Sequence, residues 1–323
     1  MSKDRLPYDE VKREIENAKS ITILSHLNPD ADALGTALGI YALLKQDKSK
    51  KVEIVNASTV LPKYLDFLPN FKKIKHHMDY VDSLIISCDC GSIDRLGFDL
   101  KGRNIINIDH HESNTRYGII NVVLPSFASS SQVAFKLFCE HHKIDEDTAT
   151  CFYTALLSDT RYFTTSSMNE EVFSVAKALV KLGANSHEIA KHFTEEKSLS
   201  SLRTLSKALA SLELVNNAQI AIMKLTKEDI VATGATTPDM ESVVDYGKSL
   251  ITVKIAIFAM EVQEGIRISL RSKGIDVSKI AITFGGGGHK VAAGFTLKNH
   301  TLEKGIEAIV DEIKRIRLLE ARH

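Results

Sequence analysis

The sequence has no excess of charge of either sign: Lys plus Arg and Asp plus Glu each number 41, so the formal net charge is zero. Proteins that hold long duplexes favour a basic surface, and this balance argues against one. A small anionic ligand held by a few local cations remains compatible with it. No apolar run is long enough to cross a bilayer, and the most apolar stretches, such as 250–260, carry a charge, here Lys254. The first twenty residues are charged and lack the apolar core of a signal peptide. The reading is a cytoplasmic protein with no membrane partner. Cysteine is scarce, at four residues, and the spacing of Cys88 and Cys90 is not the CxxC of a zinc or redox site. In a strand that spacing points both to one face. Cys139 and Cys151 read as small core residues, and all four as reduced. Internal repeats and low-complexity segments are also missing.

What is present is enough chain for two domains, 323 residues with 44% hydrophobic and 25% charged. Short apolar runs at 21–25, 52–56, 84–88, 105–108 and 119–123 alternate with helical patterns at 33–45 and 132–141. Helical patterns alone follow, at 146–158, 170–182 and 186–192. Such alternation predicts an α/β domain, a mostly parallel sheet with helices on both faces, over 1–190. A leucine stripe at 199, 202, 205, 209 and 212 predicts a connecting helix within 191–215. Residues 216–323 read as a smaller α+β domain: a strand at 218–225, a loop into helix at 237–246, a hairpin of 251–261 with 265–272, a strand at 280–284, and a terminal amphipathic helix at 302–319.

Chemistry concentrates where apolar runs end. The stretch "SHLNPDADALG" places His26, Asp30 and Asp32 within seven positions. "LIISCDC" ends at Asp89, "NIINIDHH" at Asp109, His110 and His111, and "TALLSDTRYF" presents Asp159. Residues just past the carboxyl ends of parallel strands share one rim, where ligands bind. So many carboxylates cannot share a small site while ionised unless cations compensate them. Two divalent ions meet that need, and carboxylate with imidazole but no thiolate suits manganese, with magnesium, cobalt or iron as alternatives. Taken singly each residue has a plainer use: Asp30 or Asp32 as a helix N-cap, Asp89 as a loop carboxylate. His76 with His77, and His141 with His142, lack acidic partners at strand ends and are assigned to the solvated surface.

Taken together, "HLNPDADALG", "CDCGSIDRLG", "DHH" and "LLSDTRYF" resemble the four successive motifs of the DHH phosphoesterase superfamily. "GGGGHKVAAG" is similar to the glycine-rich signature of its DHHA-type partner domain, and the order most resembles the nanoRNase/pAp phosphatase branch. The resemblance implies that His26, Asp30 and Asp89 hold one metal ion. Asp32, Asp89, His110 and Asp159 would hold a second, with Asp89 bridging. His111 would face the substrate phosphate, and Asp109 would orient the histidines.

The glycine run lets backbone N–H groups approach a ligand closely, unless it is only a hinge. No Gly-Lys-Ser/Thr follows, so it is not a Walker loop. Arg267, Ser269 and Arg271 share one face of a strand; the resemblance favours nucleotide contact for Arg271, whose guanidinium suits a phosphate. Gly286, Gly287, Gly288 and His289 complete the expected grip. Arg95 and Arg116 are weaker candidates at the rim. Ser130, in a segment where helix capping is the default, is expected near the substrate by resemblance. The expected function is a manganese-dependent phosphohydrolase with its active site in a cleft between the domains. It would cut short single-stranded RNA to mononucleotides and remove the 3′-phosphate of 3′-phosphoadenosine 5′-phosphate (pAp). A homodimer is left open. The rivals are a cyclic or linear dinucleotide phosphodiesterase on the same scaffold and a nucleotide sensor without turnover.

Overall fold

The computed structural model describes residues 6–240 and 242–319. The chain divides into two compact units between Glu196 and Lys197. In the first, β1 (Ser20–Ser25), β2 (Lys51–Val55), β3 (Leu84–Cys88), β4 (Ile105–Asp109) and β5 (Ile120–Val123) form one sheet of order β2-β1-β3-β4-β5. Every neighbouring pair is parallel. Ser25 stands opposite Cys88, and Cys88 opposite Ile108, so the residues that follow β1, β3 and β4 leave the sheet at one level. The strands read as continuous apolar runs because both sheet faces are buried. Their period of two still shows: Ile21, Ile23, Ile86, Ile106 and Ile108 enter the main core, while Leu24, Val55, Ile85 and Ile105 enter a smaller one. Each such fully buried side chain contributes about 1.5–3 kcal/mol.

The main core is filled by α1 (Tyr8–Asn17), α2 (Ala31–Leu44), α3 (Ser130–Phe138), α4 (Glu146–Asp159), α5 (Glu170–Lys181) and α6 (Ser186–Thr194). α2 and α4 pack closely because residue 35 is glycine. A Cβ there would stand 2.7 Å from the Cys151 carbonyl oxygen and 2.8 Å from the Ala155 Cβ. That contact lets Asp32, at the start of α2, and Asp159, at the end of α4, reach the same site.

The parallel sheet and the two α/β units are as expected, but the helices of the first unit are distributed differently. The smaller core is closed by the 3-10 turn Ile93–Leu96 with Leu100, Phe98, Met78 and Tyr117, not by an α-helix. Buried polar groups explain why loops serve there. Glu53 accepts from the Thr22 hydroxyl and the Asp79 and Tyr80 N–H groups, and the Ser83 carbonyl accepts from Arg103. Past its first turn a helix has no spare backbone N–H groups to offer such partners. The two cysteines also part company: Cys88 enters the main core and Cys90 the smaller one. Asp89 between them has a left-handed φ of 55°, which breaks the strand alternation that would have put them on one face. All four cysteines are free. His76 and His77 are exposed, whereas His141 stacks on Tyr8 at 3.7 Å and His142 lies 3.1 Å from its hydroxyl. That histidine pair closes α1 onto the core.

The second unit contains α7 (Leu199–Ala210), β6 (Glu213–Val215), β7 (Ile220–Leu225), α8 (Lys227–Thr233), α9 (Thr237–Met240), α10 (Val243–Ser249), β8 (Ile255–Val262), β9 (Gly265–Ser272), α11 (Ser278–Thr283), β10 (Gly287–His289), β11 (Ala292–Lys298) and α12 (Leu302–Arg315). Its sheet runs β10-β11-β9-β8-β7-β6, parallel only between β7 and β8. Ile255, Ile257, Ile266 and Ile268 face α11 and α12, while Ala256, Phe258 and Met260 face α7, α9 and α10. The expected strand at 280–284 is instead the helix α11. A short apolar run does not distinguish the two, and Asp276 starts the helical turn by accepting from the Ser278 N–H and hydroxyl. α7 buries Thr204 and Ala208, leaving Leu199, Leu202 and Leu209 exposed. Among the described residues no helix is long and apolar enough to cross a membrane.

Candidate metal centre

Three of the expected residues sit just past strand ends, Asp30 and Asp32 lie at the start of α2, and Asp159 arrives from the end of α4. His26 follows β1, Asp89 follows β3, and His110 follows β4. Asp30 is the N-cap of α2, accepting from the Ala33 N–H at 3.0 Å, so the capping role holds there. Its carboxylate is also within 4.8 Å of ligand atoms of His26 and Asp89, which form one cluster. Asp32, His110 and Asp159 form another, and Asp89, His110 and His111 a third. Asp89 thus belongs to two clusters, and its two oxygens face different ways. Oδ2 lies 3.7 Å from His26 Nε2, and Oδ1 lies 3.6 Å from His110 Nε2.

The imidazoles are held by main-chain carbonyls. His26 Nδ1 lies 2.8 Å from the Leu27 oxygen and His110 Nδ1 3.2 Å from the Phe127 oxygen. A carbonyl only accepts, so each Nδ1 carries a proton and each Nε2 is turned toward the carboxylates. His110 Nε2 stands 3.8 Å from Asp32, 3.6 Å from Asp89 and 3.5 Å from Asp159. These separations are long for hydrogen bonds. Although burial opposes the charge, with no metal ion among them the three carboxylates favour a proton on this ring and raise His110 above its ordinary value.

The electrostatics agree. Burial, reinforced by Asp89, pushes the Asp32 carboxyl up to about 7. Burial and then Asp30 do the same to Asp89, and burial and then Asp32 to Asp159, each to about 7. Asp109 goes the other way. Burial alone would raise it, but hydrogen bonds from His111 and Asn114 overcome that and hold it below the usual carboxylate range. Its Oδ1 takes His111 Nδ1 at 2.7 Å, and although burial opposes a charge on that ring, the bond raises His111 to about 9. At neutral pH His111 is therefore a cationic donor. Divalent ions that take oxygen and nitrogen ligands fit this donor set, since they would neutralise the carboxylates and take both Nε2 atoms as ligands in place of protons.

Some expected positions fall elsewhere. Arg95 is exposed with Nη2 3.4 Å from His26 Nδ1, at the edge of the centre. Arg116 is exposed, and its N–H caps Asn114 at 2.7 Å. Ser130 is fully buried, with its hydroxyl 2.8 Å from Asp89, so it presents nothing to solvent. In the second unit Arg271 pairs with Ala292 and Ala292 with His289. Directly paired residues share a face, so Arg271 and His289 flank a small side chain in one row. Gly286 and Gly288 must be glycine for packing alone. An added Cβ would lie 2.3 Å from the Gly294 oxygen at the first and 2.5 Å from the Ala292 oxygen at the second. Gly287 meets nothing within 4 Å. Sequence reasoning missed Asn114, and it gave Ser130 to the substrate without seeing what the first turn of α3 does for the carboxylates. That turn surrounds Asp32: Ser130 N–H donates to Oδ2 at 2.7 Å and Ser131 N–H to Oδ1 at 3.2 Å. Nothing but Asn114's place three residues after His111 could have marked it.

The fold and this donor set define a class: a two-unit α/β protein with clusters of acidic and imidazole side chains able to hold metal ions on the carboxyl rim of a parallel sheet. The DHH family, N-terminal domain, matches residues 20–156, and the DHHA1 domain matches residues 217–316. The chain belongs to the DHH/DHHA1 family. Among its relatives, the bifunctional oligoribonuclease and PAP phosphatase NrnA of Thermus thermophilus is 28% identical over 94% of this chain and 92% of its own length. The Bacillus subtilis protein of the same name is 25% identical over 89% and 92%. These relatives place the chain on the nanoRNase branch of the family. The crystal structure of an exopolyphosphatase-related protein from Bacteroides fragilis matches with a TM-score of 0.88 and 27% identity, covering 98% of this chain and 99% of that one.

Proposed function

We propose that this protein is a manganese-dependent phosphohydrolase of the cytoplasm. It degrades short oligoribonucleotides to mononucleotides and removes the 3′-phosphate of pAp. The observation that carries this reading is Asp89, one buried carboxylate shared by two clusters of metal-ligating type at 3.6–3.7 Å from their imidazoles. The substrate class follows the names of relatives that align along nearly the full length.

His26, Asp30 and Asp89 would hold one ion, and Asp32, Asp89, His110 and Asp159 the other. When bound, such ions neutralise phosphate oxygens and lower the pKa of water at the site. The chain supplies the remainder. Asp109 keeps His111 protonated and oriented, so the ring offers a charged donor to a phosphate oxygen as negative charge develops there. Hydrolysis adds water to phosphorus and releases the ribose oxygen as a hydroxyl. Arg271, His289 and the backbone at Gly286, Gly287 and Gly288 would hold the nucleotide, and Arg95 would face it from the rim.

Product release from pAp, RNA dimers to decamers and cyclic dinucleotides, each with Mn²⁺, tests this reading. Phosphate and AMP from pAp and mononucleotides from the shortest RNAs are expected. Turnover confined to cyclic dinucleotides would reassign the substrate, and binding without turnover would make the protein a sensor.

The grip has its own test. Arg271→Ala should raise KM for pAp about 10–100-fold, the loss expected of a charged hydrogen bond. Gly287→Ala should act in the same direction without harm to the fold, since the protein leaves that space open. Bis-p-nitrophenyl phosphate offers these residues no nucleotide and should be hydrolysed almost as before. Equal losses on both substrates would remove the second unit from substrate binding.

A further inference from the structure

Resting on the metal centre proposed above, we infer that Ser130 is a positioning residue that aims the two oxygens of Asp89 at the two clusters. Its side chain is fully buried, so it is not placed to touch substrate. Two carboxylates lie near its hydroxyl, Asp89 Oδ1 at 2.8 Å and Asp109 Oδ1 at 3.4 Å. A serine has one proton to give. Asp109 Oδ1 already accepts from His111 Nδ1 at 2.7 Å and from the His110 N–H at 2.8 Å. The Ser130 proton therefore goes to Asp89.

Asp89 needs such a partner more than Asp32 and Asp30 do. Asp32 is fixed by two main-chain N–H groups and the Thr36 hydroxyl, and Asp30 by the Ala33 N–H. Among the described residues Ser130 is the hydrogen-bond donor recorded on the Asp89 carboxylate, beside the longer imidazole contacts. A carboxylate rotates easily about its last torsion. With Oδ1 tied to Ser130, Oδ2 is left toward His26, and one residue serves both clusters. The same serine holds Asp32 through its N–H, so the first turn of α3 sets one carboxylate from each cluster.

Ser131 is the matched control. It is 1% exposed in the same helical turn, and its hydroxyl contacts Ser129 at 2.8 Å rather than a carboxylate. Mn²⁺ affinity would be measured by competition with a fluorescent chelator, without substrate, for the wild type, Ser130→Ala and Ser131→Ala. The expected result is a loss of about 10–100-fold in Ser130→Ala, as for other residues that orient metal ligands. Ser131→Ala should bind as the wild type does. KM for pAp at saturating Mn²⁺ should be unchanged in both. Should Ser130→Ala fold poorly, Ser130→Gly removes the same hydroxyl with no added bulk and should show the same loss. Wild-type affinity in the hydroxyl-free variant, an equal loss in Ser131→Ala, or a change confined to the KM for pAp would overturn the inference. A wild type that binds no Mn²⁺ would bring down the metal centre itself, a separate failure visible in the same experiment.

Discussion

Asp89→Asn should lower turnover of pAp by about a thousandfold or more, beyond the 10²–10³-fold typical of losing one transition-state donor. Asn keeps the shape and one oxygen but not the charge. Asp89 faces His26 on one side and His110 on the other, so both clusters lose the same anion. Folding should not suffer, for a reason that separates this residue from a structural carboxylate. The buried Asp89 is pushed up to about 7, first by desolvation and then by Asp30. Above that pH the metal-free fold carries a charge it disfavours, and Asn removes it. At pH 8 in chelator, the variant should therefore melt no lower than the wild type. In Mn²⁺ the order should reverse, because a ligand raises Tm only where it binds. Normal turnover by well-folded Asp89→Asn protein would sink the shared-carboxylate mechanism.

Metal-free protein should lose stability steadily as pH rises from about 5 to 9, whereas protein saturated with Mn²⁺ should not. The folded values of Asp32, Asp89 and Asp159 are raised to about 7 from an ordinary 3.8. A raised acid binds more protons folded than unfolded between those limits, so stability falls as pH climbs from about 4 to 7. His111, raised from 6.5 to about 9, and His110, also raised, contribute stability that is complete below 6.5. For His111 it is lost as pH passes about 9. Both sets act in one direction. Metal ions bind the deprotonated ligands and so oppose the loss. Tm measured in EDTA and in Mn²⁺ at matched pH should give a gap that widens from pH 5 to 9. A gap independent of pH would mean that these carboxylates are not the ligands.

The parts of the site legible in sequence were those where polar residues interrupt an apolar run at the end of a strand. Asp89 and His110 follow β3 and β4 in this way, and parallel register alone brings such residues to one level. His26, Asp30 and Asp32 were legible as a dense cluster before a helix. Ser130 was legible only as a hydroxyl expected near the substrate; its tie to Asp89 was not, because a serine at a helix start normally caps it and the tie spans 41 residues. The Cys88 and Cys90 pair shows the limit of periodicity: a single left-handed residue reversed the predicted face. Ile280 and Ala281 pack equally well from a strand or a helix, and only the Asp276 turn decides for α11. The glycine run was legible as a place of close backbone approach. In the structure that need is met at Gly286 and Gly288 by β11 itself, which leaves Gly287 as the informative position.

The central claim is that one rim holds two ions through a shared Asp89. The anomalous difference map of Mn²⁺-loaded crystals tests it most directly. Two peaks about 3.5–4 Å apart are predicted, the separation usual in two-metal hydrolases. One should lie among His26, Asp30 and Asp89, and the other among Asp32, Asp89, His110 and Asp159. A single peak, or density away from Asp89, would contradict the account.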